Sequence, residues 1–270
     1  MLSIIGLSPH PPIIIPEIGR GEISKVKQTV EGMKFLSDRV KDVQPELLIV
    51  ITPHGRIMHE GPAVLTREKL SGDFGQFGFS GIRLDMQTDR QIIDHLVEEA
   101  SDEPVKPVLL GDNDQLFTGG ATLDHGAMVP LYYLQQAGVF ASGMHINVGF
   151  QSYHELYQFG QTLNKAVEKR GIATAVIASG DLSHRLTPGA PAGFNPRGKE
   201  FDQLLVNYIR DRRVEDILNI DQSLVEEAGE CGLRSFVIAL GMLHEYDFKP
   251  EIISYEGPFG VGYLVAVLYP

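Results

Sequence analysis

The chain of 270 residues has a single cysteine, Cys231, which excludes an intrachain disulfide framework and a cysteine-rich zinc module. It is also poor in basic residues: 23 Lys and Arg stand against 35 Asp and Glu, a formal net charge of −12. Such a surface repels phosphate backbones and anionic lipid, so neither nucleic acid nor a membrane is an expected partner. No apolar run approaches the roughly 20 residues that span a bilayer. The opening Met1-Leu2-Ser3-Ile4-Ile5-Gly6 lacks the basic n-region of a signal peptide, and a cytoplasmic protein is expected. Familiar catalytic signatures are missing too. His59-Glu60, His154-Glu155 and His244-Glu245 are not followed by the second histidine of an HExxH zinc helix. There is no G-x-S-x-G elbow and no P-loop. Gly257, Gly260 and Gly262 precede a strand-like run, so they offer no helix N-terminus to a pyrophosphate.

What is present is an ordinary globular mixture, 43% hydrophobic and 21% charged, long enough for a real core. Strand-like runs fall at residues 2–7, 46–51, 62–66, 105–110, 144–148, 172–178, 251–255 and 262–268. Several are continuously apolar (LLIVI, TAVIA, YLVAVL), as strands covered on both faces are. Amphipathic helices lie between them. Over residues 22–43, Ile23, Val26, Val30, Met33, Leu36 and Val40 recur at steps of three and four. Residues 153–170 repeat the pattern and stop at Gly171. Residues 194–246 read as mostly helical. The pattern predicts one α/β domain over residues 1–270, with a central sheet flanked by helices on both faces. Residues 71–81 (SGDFGQFGFSG), with four glycines and three phenylalanines, read as a loop, either pinned by its own aromatics or serving as a lid.

The placement of the histidines carries the chemistry. His10, His54 and His184 each follow a buried strand, at the carboxyl-terminal edge where open α/β sheets form their ligand crevices. Pro9, Pro11, Pro12 and Pro53 stiffen the loops around the first two, as a metal site requires. His125 follows Asp124, a candidate N-cap for the apolar run beginning at Met128. Glu230 and Cys231 open another helical run. Two imidazoles and a carboxylate make the facial triad of non-haem Fe(II) oxygenases, and the same set can hold zinc. Arg185 and Arg197 are candidates for holding an anionic substrate group.

Together SPHPPIIIPEIG, TPHG, LDHGAMVPLYYL, SGDLSH, AGECGLRSF and SYEGPFGVGY resemble the class III extradiol ring-cleavage dioxygenase superfamily, the family of the catalytic LigB subunit. The branch they are most similar to holds Memo-like proteins and the N-terminal domain of AmmeMemoRadiSam system proteins. The resemblance implies a mixed sheet and a mononuclear Fe(II) site at the strand carboxyl ends, acting on a catecholic substrate with O2. By motif, His10 and His54 match the histidine ligands and Glu230 the carboxylate ligand. His184 matches the acid/base, which Asp181 would orient, and His125 a second pocket histidine. Memo-like relatives place a cysteine at or beside the carboxylate position; here Glu230 and Cys231 are neighbours, and a hard O2-activating iron site favours Glu230. The resemblance leaves two alternatives: a zinc-dependent hydrolase on the same ligands, or a non-catalytic metal-binding partner of AMMECR1-like or radical-SAM proteins. A homodimer is a further expectation.

Overall fold

Each central strand is apolar at every position because both of its faces are covered. In the computed structural model, which describes residues 1–111 and 123–270, Leu47, Ile49 and Ile51 of one strand enter one core, while Leu48 and Val50 enter another on the opposite face. In chain order the elements are β1 (Leu2–Ser8), α1 (Pro16–Gly19), α2 (Lys27–Asp42), β2 (Leu47–Thr52), β3 (Ala63–Leu65), β4 (Lys69–Phe74) and β5 (Phe79–Gln87). Then come α3 (Arg90–Glu99), β6 (Val108–Leu110), α4 (His125–Gln136), β7 (Ser142–Asn147), α5 (Tyr153–Arg170) and β8 (Thr174–Ser179). The chain closes with α6 (Arg197–Arg210), α7 (Val214–Leu218), α8 (Gln222–Ala228), α9 (Leu233–Met242), β9 (Lys249–Glu256) and β10 (Tyr263–Tyr269).

The described residues form one eight-stranded mixed sheet in the order β6-β3-β7-β2-β8-β1-β10-β9. Its centre, β7-β2-β8-β1, is parallel, and antiparallel pairings join β10 to β1 and β3 to β7. One core packs residues of α5, α6 and α9, including Phe159, Phe201 and Phe236. The other packs α2 and α4 through Met33, Leu36, Met128 and Leu131. Helix α5 starts on a capping box, with Ser152 and Glu155 satisfying each other's backbone N–H, and ends on Gly171 in the left-handed region. No helix among the described residues is long and apolar enough to cross a membrane.

Three expectations shift in detail. The helix read from residue 22 begins as a 3-10 turn over Arg20–Val26 and becomes α-helical at Lys27. The strand read over 105–110 is confined to Val108–Leu110. Residues 71–81 are not a loop: β4 and β5 pair as a separate antiparallel hairpin with a short turn, Gly75–Phe77, at its tip. Leu70 and Phe74 anchor that hairpin in the α4 core, and in β5 Ile82, Leu84 and Met86 alternate with exposed Arg83, Asp85 and Gln87, a strand period that the glycines of 71–81 interrupt in the sequence.

Candidate functional site

Because β1, β2 and β8 are parallel, their carboxyl ends meet at one edge of the sheet. The final residues of β1, β2, β7 and β8 are Ser8, Thr52, Asn147 and Ser179, polar side chains that are all essentially fully buried. A buried polar residue ending an apolar strand is costly unless it has a partner, so it marks where groups must be organised. The histidines do follow these strand ends.

His10, His54 and His125 converge. One ring nitrogen from each lies within 4.8 Å of the other two. His10 Nε2 and His54 Nε2 are 2.8 Å apart, and the His54 and His125 rings stack at 4.3 Å. Hydrogen bonding fixes the His10 tautomer. The Ser179 hydroxyl donates to the Gly126 carbonyl, so its oxygen is left to accept from His10 Nδ1 at 2.9 Å. His10 therefore turns the Nε2 lone pair inward. Burial pushes the His10 imidazole well below its ordinary range, and His54 and His125 push it further. His54 is exposed as a residue, yet its Nε2 is turned inward. Lost hydration there, and then the His125 and His184 neighbours, bring it to about 4. His125 is lowered by burial and held up in part by Asp124.

Three neutral imidazoles sharing one small space are a cation-binding arrangement. Metal–nitrogen bonds of about 2.0–2.1 Å set ligand nitrogens roughly 3.3 Å apart around a tetrahedral centre. The observed spacings span that value, so the donor set fits a divalent metal.

The structure does not bring Glu230 into this set. Its Oε2 accepts the Leu233 backbone N–H at 2.6 Å at the start of α9, and burial raises its carboxyl to about 7. Cys231 is the neighbour that faces the histidines, with Sγ 3.6 Å from His10 Nε2. Two glycines make this approach: a Cβ on Gly180 would stand 2.0 Å from Gly232 Cα, so the backbones after β8 and before α9 touch. Both Cys231 N and Gly232 N then donate to the Asp181 carbonyl. Burial raises the Cys231 thiol well above its usual range, assisted by Asp181 and Glu230.

His184 lies in the loop after β8. Its Nδ1 donates to the Gly229 carbonyl at 2.6 Å, which leaves Nε2 as the free base nitrogen. Burial lowers this imidazole, partly offset by that hydrogen bond. Asp181, expected to orient His184, stands 4.0 Å from its Nε2 and instead accepts the His10 backbone N–H at 3.0 Å. Burial, moderated by that bond, raises Asp181 to about 7. At the hairpin tip, Phe77 sets its ring edge-to-face against His125 at 5.5 Å. Arg197 pairs with Glu200, Asp221 and Glu227 and is thereby occupied. Phe77 belongs to the 71–81 segment read as a possible lid, whereas Ser179 was not singled out in the sequence, its signal being the polar residue that closes each buried strand.

The profile of a family described as the catalytic LigB subunit of aromatic ring-opening dioxygenase matches residues 5–266. A Clostridium acetobutylicum protein is 39% identical over 264 residues, 97% of this chain and 56% of that relative, so the chain spans about half of its length. The Escherichia coli protein named 3,4-dihydroxyphenylacetate 2,3-dioxygenase is 23% identical over 240 residues, covering 83% of this chain and 84% of that one. Among solved structures, an uncharacterized Escherichia coli K12 protein aligns over 99% of this chain and 100% of its own, with a TM-score of 0.65 at 13% identity. That last likeness shows the fold.

Proposed function

The chain belongs to the family of the catalytic LigB subunit of aromatic ring-opening dioxygenases, and from that premise we propose that it is a non-haem Fe(II)-dependent oxidoreductase of the extradiol type, opening a catecholic ring with O2. The observation that carries this reading is the cluster of His10, His54 and His125 beside an unprotonated His184 Nε2. The distant relative named as a dihydroxyphenylacetate dioxygenase supports a catecholic substrate. In this reading His10, His54 and His125 hold the metal, with Cys231 Sγ as an adjacent donor. Glu230, the carboxylate ligand implied by resemblance, has Oε2 engaged by the Leu233 N–H, which leaves its other oxygen for a metal.

A divalent metal bound there supplies Lewis acidity and a common template for the diol and O2. The chain's own groups do the rest. His184, neutral near pH 7, takes a proton from a substrate hydroxyl at Nε2 while the Gly229 carbonyl steadies the imidazolium through Nδ1. Phe77 covers the His125 side and offers an aromatic ring a partner.

A second reading has its own support. Three imidazoles and a nearby thiol suit zinc or copper, while the one carboxylate at hand, Asp181, holds Oδ2 3.9 Å from His10 Nε2. Anaerobic purification with metal analysis, followed by oxygen-electrode assays on a panel of catechols, separates the two. Bound iron with catechol-dependent O2 uptake is the expected result. Zinc retained without any uptake would replace the dioxygenase reading with the second one.

A further inference from the structure

Asp124 is a buried carboxylate with an incomplete set of partners. As N-cap of α4 its Oδ1 accepts the Ala127 N–H at 3.2 Å, and the same oxygen accepts the Thr52 hydroxyl at 2.8 Å. Thr52 ends β2 two residues before His54, and Ala127 lies two residues after His125. One oxygen therefore ties the backbone segment carrying His54 to the one carrying His125.

The other oxygen is different. Oδ2 is buried and has no hydrogen-bond partner. His145 Nε2 stands 3.4 Å away, but it is engaged with Asn147 Oδ1 at 2.7 Å. Among the described residues no Lys or Arg is paired with Asp124, and residues 112–122 contain no Lys, Arg or His. A buried carboxylate is ordinarily paired with a cation or placed next to a metal, because leaving it uncompensated costs several kcal/mol. Besides the neighbouring His145, its charge acts on His10, His54 and His125, whose imidazoles it holds up against burial.

We infer that Asp124 is the positioning residue and counter-charge of the three-histidine centre, setting the end of β2 against the start of α4 and keeping one oxygen's charge for the bound cation without ligating it. This rests on the metal-binding reading above. It adds a residue that acts through the ligands: second-neighbour groups of this kind typically change metal affinity by 10–100-fold.

The test is zinc titration calorimetry on apo wild-type protein, Asp124→Asn and Thr52→Val, with cobalt(II) absorption spectra of the saturated proteins. Asparagine caps helices as well as aspartate and can still accept the Thr52 hydroxyl, so D124N removes the charge while keeping the cap. D124N is expected to bind zinc 10–100-fold more weakly, with only a modestly lowered apo melting temperature, because the fold favours the ionised carboxylate, and an unchanged cobalt spectrum. T52V, which keeps the charge but cuts the tie, should also weaken binding. Equal affinity in D124N and wild type overturns the inference while leaving the metal centre standing. A D124N affinity loss matched by a collapse of apo stability also overturns it, since the role would then be structural only. If wild type binds no zinc or cobalt, the metal-centre reading itself falls. Asp124→Ser, another capping residue, replaces D124N should that variant fail to fold.

Discussion

Ser179 Oγ lies 2.9 Å from His10 Nδ1 and hands its own proton to the Gly126 carbonyl, so a serine at the end of β8 decides which nitrogen of His10 is free. This joins the end of one strand to the ligand after another and to the first turn of α4. Ser179→Ala removes the acceptor and leaves two buried groups unpartnered, a destabilisation of about 1–3 kcal/mol. Metal affinity should fall by about 10–100-fold. Nitrogen-15 NMR of the His10 ring checks the cause: the wild type should be the Nδ1–H tautomer, the variant a mixture.

The proposed division of labour between ligands and base is testable in parallel. His184→Ala should keep its metal and lose turnover by about 10²–10⁴-fold, the usual loss when a general acid/base is removed. His10→Ala should lose both, because a donor has gone. Metal content and catechol-dependent O2 uptake, measured on both variants, read the two effects separately. Loss of metal in His184→Ala would make His184 a ligand.

Glu230 and Cys231 give opposite expectations although they are adjacent. Glu230→Gln should leave metal affinity close to wild type, since glutamine can still accept the Leu233 N–H. Cys231→Ser should weaken it about tenfold or more, and should abolish the sulfur-to-metal charge-transfer band of the cobalt(II) protein. A band that survives in Cys231→Ser would remove sulfur from the coordination sphere.

Asp202 makes stability depend on pH. It is fully buried on α6, accepts the Ser183 N–H at 2.8 Å and the Tyr255 hydroxyl at 2.6 Å, and burial raises its carboxyl to about 7 despite those bonds. A carboxyl raised on folding is favoured protonated in the native state. Its contribution is complete below the unfolded value of about 4 and is lost as pH rises through about 7. Asp202→Asn cannot ionise, so between pH 5 and 8 the apo variant should lose less stability than wild type. Urea unfolding at several pH values gives the slopes; parallel slopes would exclude Asp202 as the source.

Much of this protein was determined by local sequence. Strands apolar at every position must be covered twice, which requires helices on both faces; parallel strands bring their carboxyl ends together, so His10, His54 and His184 were bound to reach one edge. The tertiary structure alone decided which side chains meet there. Glu230 and Cys231 lie in the turn between α8 and α9, so which of them faces the histidines depends on the backbone path there, set by the Gly180–Gly232 contact and by the Asp181 carbonyl accepting from both Cys231 N and Gly232 N. Asp124 likewise reads as a helix cap in sequence. Its place as a buried charge beside the histidines exists only because β2 sets Thr52 against it and β7 brings His145 alongside, residues 72 and 21 positions away in the chain. Periodicity records which face a residue occupies; charge compensation depends on distances between segments, and those are settled only when the sheet is assembled.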